Sequence, residues 1–167
     1  MNISRLLDPA LIKLAMETRI VEDPDNPVRS ARQRRLDKEA ILDELVALLE
    51  SSGKVGNRSK LLTEFVNRER KASTALGHGI AVPHVRTYQA RELVIGVARS
   101  FDGYDFDAPD NEPVRLFFIM AAPSYDDNLY LRVFKGLAEV LQFDYFRQRL
   151  IGVDSEYDLI RAFQEME

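Results

Sequence analysis

The sequence contains no cysteine, and only two of its 167 residues are histidine. The absence of cysteine excludes disulfides, thiolate catalysis and cysteine-ligated zinc sites. No apolar run approaches the length of a membrane-spanning helix, and the first residues lack the apolar core of a signal peptide. We therefore predict a cytoplasmic protein that is not embedded in a membrane.

The two histidines, His78 and His84, would lie roughly 20 Å apart on an extended strand. A metal site shared by both would require the neighbouring glycines to fold the chain back on itself. No other group of histidines and carboxylates has the spacing of metal ligands. We predict neither a metal nor any other cofactor.

Acidic residues outnumber basic ones by 27 to 23, which gives a formal net charge of −4. An acidic chain is not typical of proteins that bind nucleic acid or anionic membranes in general. Four arginines nevertheless cluster early in the chain, and they form either a nucleic-acid patch or a solvated loop: Arg29, Arg32, Arg34 and Arg35. The net charge and the lack of interleaved aromatic residues favour the loop, so we predict no nucleic-acid partner.

The length and the apolar fraction of 46% suit one globular domain with a real core. Turn-forming residues from Glu22 to Pro27 predict an exposed loop. The first long helix is predicted to begin at Asp37, a favourable N-cap, and the second at Asn57 or Ser59.

Further along the chain, short apolar runs predict buried strands at residues 80–82, 93–98 and 114–120. A long helix follows Asp126, Asp127 or Asn128, and two shorter helices lie at 144–150 and after 154–155. The long helix is predicted to turn five residues to the core: Leu131, Phe134, Leu137, Ala138 and Leu141. Helices and strands alternate without strict βαβ repetition, which predicts a single layered α/β domain over residues 1–167.

The stretch from Gly77 to His84 combines two glycines, a short apolar strand and a proline followed directly by histidine. Gly77 and Gly79 permit positive φ or a close backbone approach. Pro83 lacks a backbone donor and ends the strand ladder, so His84 is predicted where the chain leaves the sheet. Loops at strand ends often present reactive side chains, which makes His84 a candidate site residue.

Gly77-His78-Gly79-Ile80-Ala81-Val82-Pro83-His84, preceded by Arg68-Glu69-Arg70 and Ser73-Thr74, resembles the signature of type-2 enzyme IIA domains. These domains are the fructose/mannitol and nitrogen-regulatory class of the bacterial phosphoenolpyruvate-dependent phosphotransferase system. The resemblance implies a mixed β-sheet flanked by helices, with about residues 22–36 as an exposed insertion. It also implies a phosphocarrier whose partners are a phosphohistidine carrier protein and either a sugar-specific enzyme IIB domain or a regulatory target.

By this resemblance His84 is the phosphoryl acceptor. An imidazole suits that role, since near neutral pH it carries a nucleophilic nitrogen. Arg68 matches the family's arginine in its spacing before the histidine, and a guanidinium matches the oxygens of a phosphoryl group. Further candidates for phosphate contact are the amides near Gly77 and Gly79 and the hydroxyls of Ser73 and Thr74, although capping or turn roles would also explain those hydroxyls.

The sequence departs from the family at Tyr130, where related domains usually carry a second histidine facing the phosphorylated one. A tyrosine hydroxyl can donate one hydrogen bond but cannot carry a positive charge. The predicted start of the long helix would place backbone amides there that favour an anion. Two functions remain open: an active phosphocarrier, or a regulatory interaction module with the same fold and little or no phosphotransfer.

Overall fold

The computed structural model describes residues 1–126 and 128–167. Within these residues one six-stranded sheet is formed by β1 (Ile12–Lys13), β2 (Ala75–Gly77), β3 (Ile80–Ala81), β4 (His84–Thr87), β5 (Val94–Tyr104) and β6 (Val114–Pro123). The strand order is β1-β5-β6-β3-β2, with β4 also paired to β6. The α-helices are α1 (Ala31–Glu50), α2 (Arg58–Lys71), α3 (Leu129–Leu141), α4 (Asp144–Ile151) and α5 (Glu156–Met166). No helix in the described part of the chain is both long and apolar enough to cross a bilayer.

Strand β6 is the centre of the sheet, since β3 and β4 pair with it in parallel and β5 pairs with it antiparallel. Its successive side chains enter opposite layers. Phe117 and Ile119 pack in the core under α1 and α2, whereas Phe118 and Met120 pack in the core under α3, α4 and α5. Helices cover both faces, which explains the uninterrupted apolar run of this strand. The predicted mixed α/β sheet flanked by helices is confirmed.

The sequence predicted that the chain leaves the sheet after Pro83, and this prediction is wrong. Ile80 pairs with Leu116 and His84 pairs with Met120, so the chain follows β6 across the proline. The proline lacks an N–H, but its carbonyl still accepts a hydrogen bond from Met120 N at 2.9 Å. His84 is therefore the first residue of β4, which fixes its backbone in the sheet.

The first long helix begins at Ala31, so the predicted N-cap at Asp37 is wrong. Ser30 is the N-cap, and its side chain forms a reciprocal capping box with Gln33. The Asp37 carboxylate instead accepts hydrogen bonds from Arg29, at 2.6 and 3.1 Å. Residues 21–28 are exposed, as the loop prediction required, but residues 31–36 belong to α1.

The four clustered arginines accordingly sit at or in the start of α1 and not in one loop. Two of them have acidic partners: Arg29 pairs with Asp37, and Arg34 pairs with Asp107 at 2.9 Å. Arg32 and Arg35 are exposed on the helix. The pairing lowers the charge available to a polyanion, and the absence of a nucleic-acid partner stays a prediction.

Helix caps and core faces were predicted with mixed success. Of the two predicted starts of α2, Asn57 and not Ser59 is the N-cap, and Ser155 caps α5 where that helix was predicted to begin. Helix α3 turns Val133, Leu137 and Leu141 to the core, whereas the predicted core residues Leu131 and Ala138 are exposed. With 3.6 residues per turn, these two residues point away from the helix face that carries Val133 and Leu137.

The Glu44 carboxylate of α1 holds the extended segment before the helix. It accepts hydrogen bonds from the backbone of Glu17 (2.8 Å) and from the amide and hydroxyl of Thr18 (2.9 and 2.6 Å). Lys13 Nζ lies 2.8 Å away. Burial alone would raise the pKa of Glu44, but the hydrogen bonds from Lys13 and Thr18 outweigh it, and the net pKa is lowered.

We expect Glu44→Gln to lower the free energy of unfolding at about pH 7 by roughly 2 kcal/mol, because charge-assisted hydrogen bonds are lost. The folded-state pKa lies below the unfolded value, so this stabilisation is present above the usual pKa of 4.5 and is lost as pH falls through the folded value. Urea unfolding of both proteins across this range measures the difference. Asp43→Asn, an exposed carboxylate beside it in α1, is the control, and equal losses in both variants would contradict the assignment.

Candidate functional site

An open cleft of about 580 Å³ lies where β4 faces the end of α2 and the start of α3. From α2 the cleft is lined by Glu64, Asn67, Arg68 and Lys71. The other lining residues are 84–88, which are β4 and the residue after it, together with Ser124 and Tyr130. Three residues that are far apart in the sequence, His84, Arg68 and Tyr130, thus share one cleft. The edge position of β4 leaves the cleft accessible to a second macromolecule.

His84 is held in one tautomer by the backbone. Its Nδ1 lies 2.7 Å from Val82 O, and because a carbonyl oxygen only accepts, Nδ1 must carry the proton. Nε2 is then unprotonated, with a lone pair available for attack. Burial lowers the pKa of His84 below its usual 6.5, the Val82 carbonyl opposes this, and the charge of Arg68 lowers the pKa further. At neutral pH the ring is a neutral nucleophile.

Two aromatic rings of α3 pack beside this imidazole. The ring centroid of His84 lies 5.3 Å from that of Phe134 and 6.0 Å from that of Tyr130. Within the described residues, no group accepts a hydrogen bond from the Tyr130 hydroxyl. Phe134 packs against the imidazole, and the Tyr130 ring lies next to it in the cleft.

The start of α3 does not offer the free amides that the sequence analysis expected. The Asp126 carboxylate accepts hydrogen bonds from Leu129 N (2.8 Å) and Tyr130 N (3.1 Å). It is therefore Asp126 that caps the helix, while Asn128 adopts a left-handed conformation at φ 73° and Asp127 lies outside the described residues. These two amides are therefore not free to bind an anion at His84.

Arg68 reaches the cleft from the last turn of α2. Its Nη1 donates to Ala72 O at 2.8 Å, which anchors one edge of the guanidinium. The neighbouring Glu69 is buried and accepts hydrogen bonds from the amide (2.8 Å) and hydroxyl (2.7 Å) of Thr74, while Lys38 Nζ lies 3.1 Å from it. This buried carboxylate ties the end of α2 to the chain that leads into β2, and so positions Arg68.

The hydroxyls predicted to contact phosphate already have structural partners. Thr74 donates to Glu69, and Ser73 donates to Phe106 O at 2.8 Å. Neither residue lines the cleft. Their alternative role in turns and caps is the one that the hydrogen bonds support.

The two glycines form the β2–β3 hairpin turn, with φ of 92° at Gly77 and 79° at Gly79. Between them His78 is also left-handed, and its amide donates to the Asp110 carboxylate at 2.8 Å. Gly79 O accepts from Leu116 N, whereas His84 pairs with Met120. Four residues along β6 separate these positions, about 13 Å, so the prediction that the glycines contact a phosphoryl group on His84 is wrong.

Two further cations, Lys71 and Arg86, line the cleft and were not predicted from the sequence. Arg86 follows His84 by two residues on the same strand, so it projects from the same side of β4. If a strand had been predicted at residues 84–87, the alternation of side chains along it would have placed Arg86 on the same face as His84. In residues 1–126 and 128–167, no three histidine, cysteine, aspartate or glutamate side chains are grouped to hold a metal ion.

Comparison with known proteins agrees with this geometry. The family model "Phosphoenolpyruvate-dependent sugar phosphotransferase system, EIIA 2" matches residues 28–166. The fructose-specific EIIABC component of Bacillus subtilis (strain 168) is 31% identical over 160 residues, which are 96% of this chain but 22% of that protein. The fructose-specific EIIA component of Haloferax volcanii is 31% identical over 119 residues, 71% of this chain and 77% of that protein.

Among solved structures, the nitrogen regulatory protein IIA-Ntr from Neisseria meningitidis superposes with a TM-score of 0.79 at 27% identity, covering 96% of this chain and 98% of that one. The IIA mannitol structure from Escherichia coli, at 19% identity, shares the fold with a TM-score of 0.72. The family model covers most of the chain, and the fold and the relatives agree with it. The chain belongs to the EIIA 2 family of the phosphoenolpyruvate-dependent sugar phosphotransferase system.

Proposed function

We propose that this chain is a phosphocarrier that accepts a phosphoryl group on His84 Nε2 and passes it on. The observation that carries the proposal is the neutral imidazole, held with Nε2 unprotonated, beside Arg68 in an open cleft. The family to which the chain belongs supports the same chemistry.

The transfer requires one bond to break and one to form. The lone pair of Nε2 attacks phosphorus as the P–N bond of a donor phosphohistidine breaks, and the donor nitrogen keeps the bonding pair. The His84 ring then carries a positive charge that the Nδ1–H bond to the Val82 carbonyl stabilises. Arg68 faces the charge on the phosphoryl oxygens, where little besides positioning and electrostatic stabilisation is needed.

The donor in this proposal is a phosphohistidine carrier protein. The recipient is a sugar-specific enzyme IIB domain, or the phosphorylated state itself is a regulatory signal. Both roles are represented among the relatives, which include fructose-specific components and a nitrogen regulatory protein from Pseudomonas aeruginosa. We place the protein in the cytoplasm, where phosphoenolpyruvate is produced.

The proposal is tested by incubation with the general phosphotransferase proteins and labelled phosphoenolpyruvate. We expect an acid-labile label on His84, because phosphoramidate bonds hydrolyse in acid. A chase with a fructose-type enzyme IIB domain then asks whether the label moves on. A chain that stays unlabelled under conditions that label the carrier protein would overturn the proposal.

A second function, a regulatory interaction module with weak or no phosphotransfer, is favoured by one feature, the tyrosine at position 130. Its hydroxyl supplies at most one hydrogen bond to a phosphoryl oxygen, where a histidine would supply a donor that can also be charged. The two functions differ in the effect of changing this residue.

We expect Tyr130→Phe to slow transfer several-fold, because one hydrogen bond of about 0.5–1.5 kcal/mol is lost. Tyr130→His should equal or exceed the wild-type rate. Initial rates of labelling from the phosphorylated carrier protein measure both effects, with Tyr157→Phe, an exposed tyrosine of α5, as the control.

Two results would change the assignment. A wild-type chain that stays inert while Tyr130→His is labelled would establish the interaction module. If neither chain is labelled although His84 reacts with diethyl pyrocarbonate, the family's chemistry does not apply to this chain.

A further inference from the structure

A phosphoryl group on His84 carries nearly two negative charges at neutral pH, and besides the charged ring itself the cleft contains one side-chain cation with an assigned role, Arg68, whose charge Glu64 offsets. Phosphorylated side chains have a charge of about −1.5 to −2, and Tyr130 contributes none. The other basic side chains that line the cleft are Lys71 and Arg86, and Glu64 is the one carboxylate among its described lining residues. The charge balance therefore points to a second cation.

Arg86 is on the correct side of the strand. The exposure of β4 alternates, with His84 half-buried, Val85 buried, Arg86 exposed and Thr87 buried. Two residues along a strand separate side chains on one face by about 6.6 Å, a distance that a long arginine side chain spans. His84 and Arg86 therefore face the same cleft from adjacent positions.

The Arg86 guanidinium is held in place before any ligand arrives. Its Nη2 donates to Ser124 O at 2.6 Å, and Ser124 also lines the cleft. A guanidinium has five N–H donors in a planar fork, so this one hydrogen bond leaves further donors for phosphoryl oxygens. An anchored arginine loses less conformational entropy on binding than a free one. No such anchor holds Lys71 among the described residues.

The two arginines lie at different depths. Arg68 is half-buried, whereas Arg86 is exposed. Arg86 thus lines the cleft from its solvent side. Arg68 is then the inner cation and Arg86 the outer one.

We propose that Arg86 donates hydrogen bonds to the phosphoryl oxygens on His84 and supplies the positive charge that Tyr130 cannot. The inference rests on phosphorylation of His84, but not on the identity of the donor. The positive charge that a histidine at position 130 of α3 could carry is then supplied by Arg86 of β4.

The test is a double-mutant cycle between Arg86→Ala and Tyr130→His, with His84 phosphorylated by the small donor phosphoramidate. In the chain that keeps Tyr130, Arg86→Ala should shorten the phosphohistidine lifetime about ten-fold or more, as expected for loss of one charge-assisted contact. In ³¹P NMR titrations it should raise the pKa of the phosphoryl group, since removal of a cation disfavours the more charged form. With Tyr130→His present, both effects should shrink.

Arg132→Ala, an exposed arginine of α3 outside the cleft, is the matched control, and Arg86→Lys should retain part of the effect. An unchanged phosphoryl pKa and lifetime in Arg86→Ala would overturn the inference, as would equal effects in both backgrounds. Labelling by the carrier protein is scored separately. A wild-type chain that the carrier leaves unlabelled, but whose chemically formed phosphohistidine depends on Arg86, would support this inference and refute the proposed function.

Discussion

Replacement of His84 by alanine is expected to abolish phosphoryl acceptance and to leave the fold intact. The variant removes the nucleophile itself, and neither Arg68 nor Tyr130 can form a phosphoramidate of comparable reactivity near neutral pH. The lost contacts are the packing against Phe134 and one hydrogen bond to Val82 O. Because the side chain is half-buried at the edge of the sheet, the cost to unfolding free energy should be about 1–2 kcal/mol.

Label incorporated from phosphoenolpyruvate, together with a circular-dichroism melt, measures both parts of this expectation. The sequence offers a matched control in its other histidine, His78, which lies in the β2–β3 turn with a left-handed backbone. His78→Asn suits that conformation and should be labelled like the wild type. Acid-labile label retained by a folded His84→Ala chain would assign the acceptor to another residue.

The pH dependence of the rate should follow the ionisation of this imidazole. Burial and the charge of Arg68 lower the pKa of His84 below its usual value of 6.5. The neutral, reactive form of the ring therefore persists below pH 6.5, and the rate should fall only as the pH drops through the lowered pKa. An NMR titration of the His84 ring protons gives that value independently of the rate.

Replacement of Arg68 by alanine should slow phosphorylation ten-fold or more. Charge-assisted hydrogen bonds to a phosphoryl group contribute about 1.5–3 kcal/mol, and the developing charge in the transition state faces this guanidinium. Stability should change little, because the one described hydrogen bond of the side chain is to Ala72 O at the helix end. Arg68→Lys should recover part of the rate, since a lysine keeps the charge but not the planar fork.

Arg70→Ala is the matched control for Arg68, because both residues lie in the last turn of α2. Arg70 pairs with Glu39 of α1 at 3.0 Å and does not line the cleft. A second readout separates electrostatics from general disturbance: Arg68→Ala should raise the pKa of His84, whereas Arg70→Ala should not. A wild-type rate in Arg68→Ala would mean that this arginine is only a surface cation that complements the helix dipole.

The layered fold was predictable because its strands are apolar on both faces and its helices have periodic apolar sides. The start of α1 was not predicted, although Ser30 and Gln33 have the spacing of a capping box, since the arginines around them suggested a solvated loop. The hairpin at Gly77 was missed because its first strand, β2, is three residues long. Short strands depend on pairing with a neighbour, and that pairing is not visible in local sequence.

The candidate site was predicted only in part, for a related reason. Arg68, His84 and Tyr130 stand on three different elements, and no local pattern brings them together; the resemblance to a known family did. The hydrogen bonds that occupy Ser73, Thr74 and the amides at the start of α3 come from residues of other turns and elements. Arg86 was overlooked because Pro83 suggested that the strand had ended, which hid the alternation that places Arg86 beside His84.

The hydrogen bond from His84 Nδ1 to Val82 O has a consequence for the chemical identity of the product. Phosphohistidine exists as two positional isomers, and free histidine can form both because either ring nitrogen can carry the lone pair. In this chain the carbonyl holds the proton on Nδ1, so folding selects the isomer substituted at Nε2. In the proposed reaction the regiochemistry is thus set by the backbone two residues before the histidine, and an unfolded chain would lose this selection.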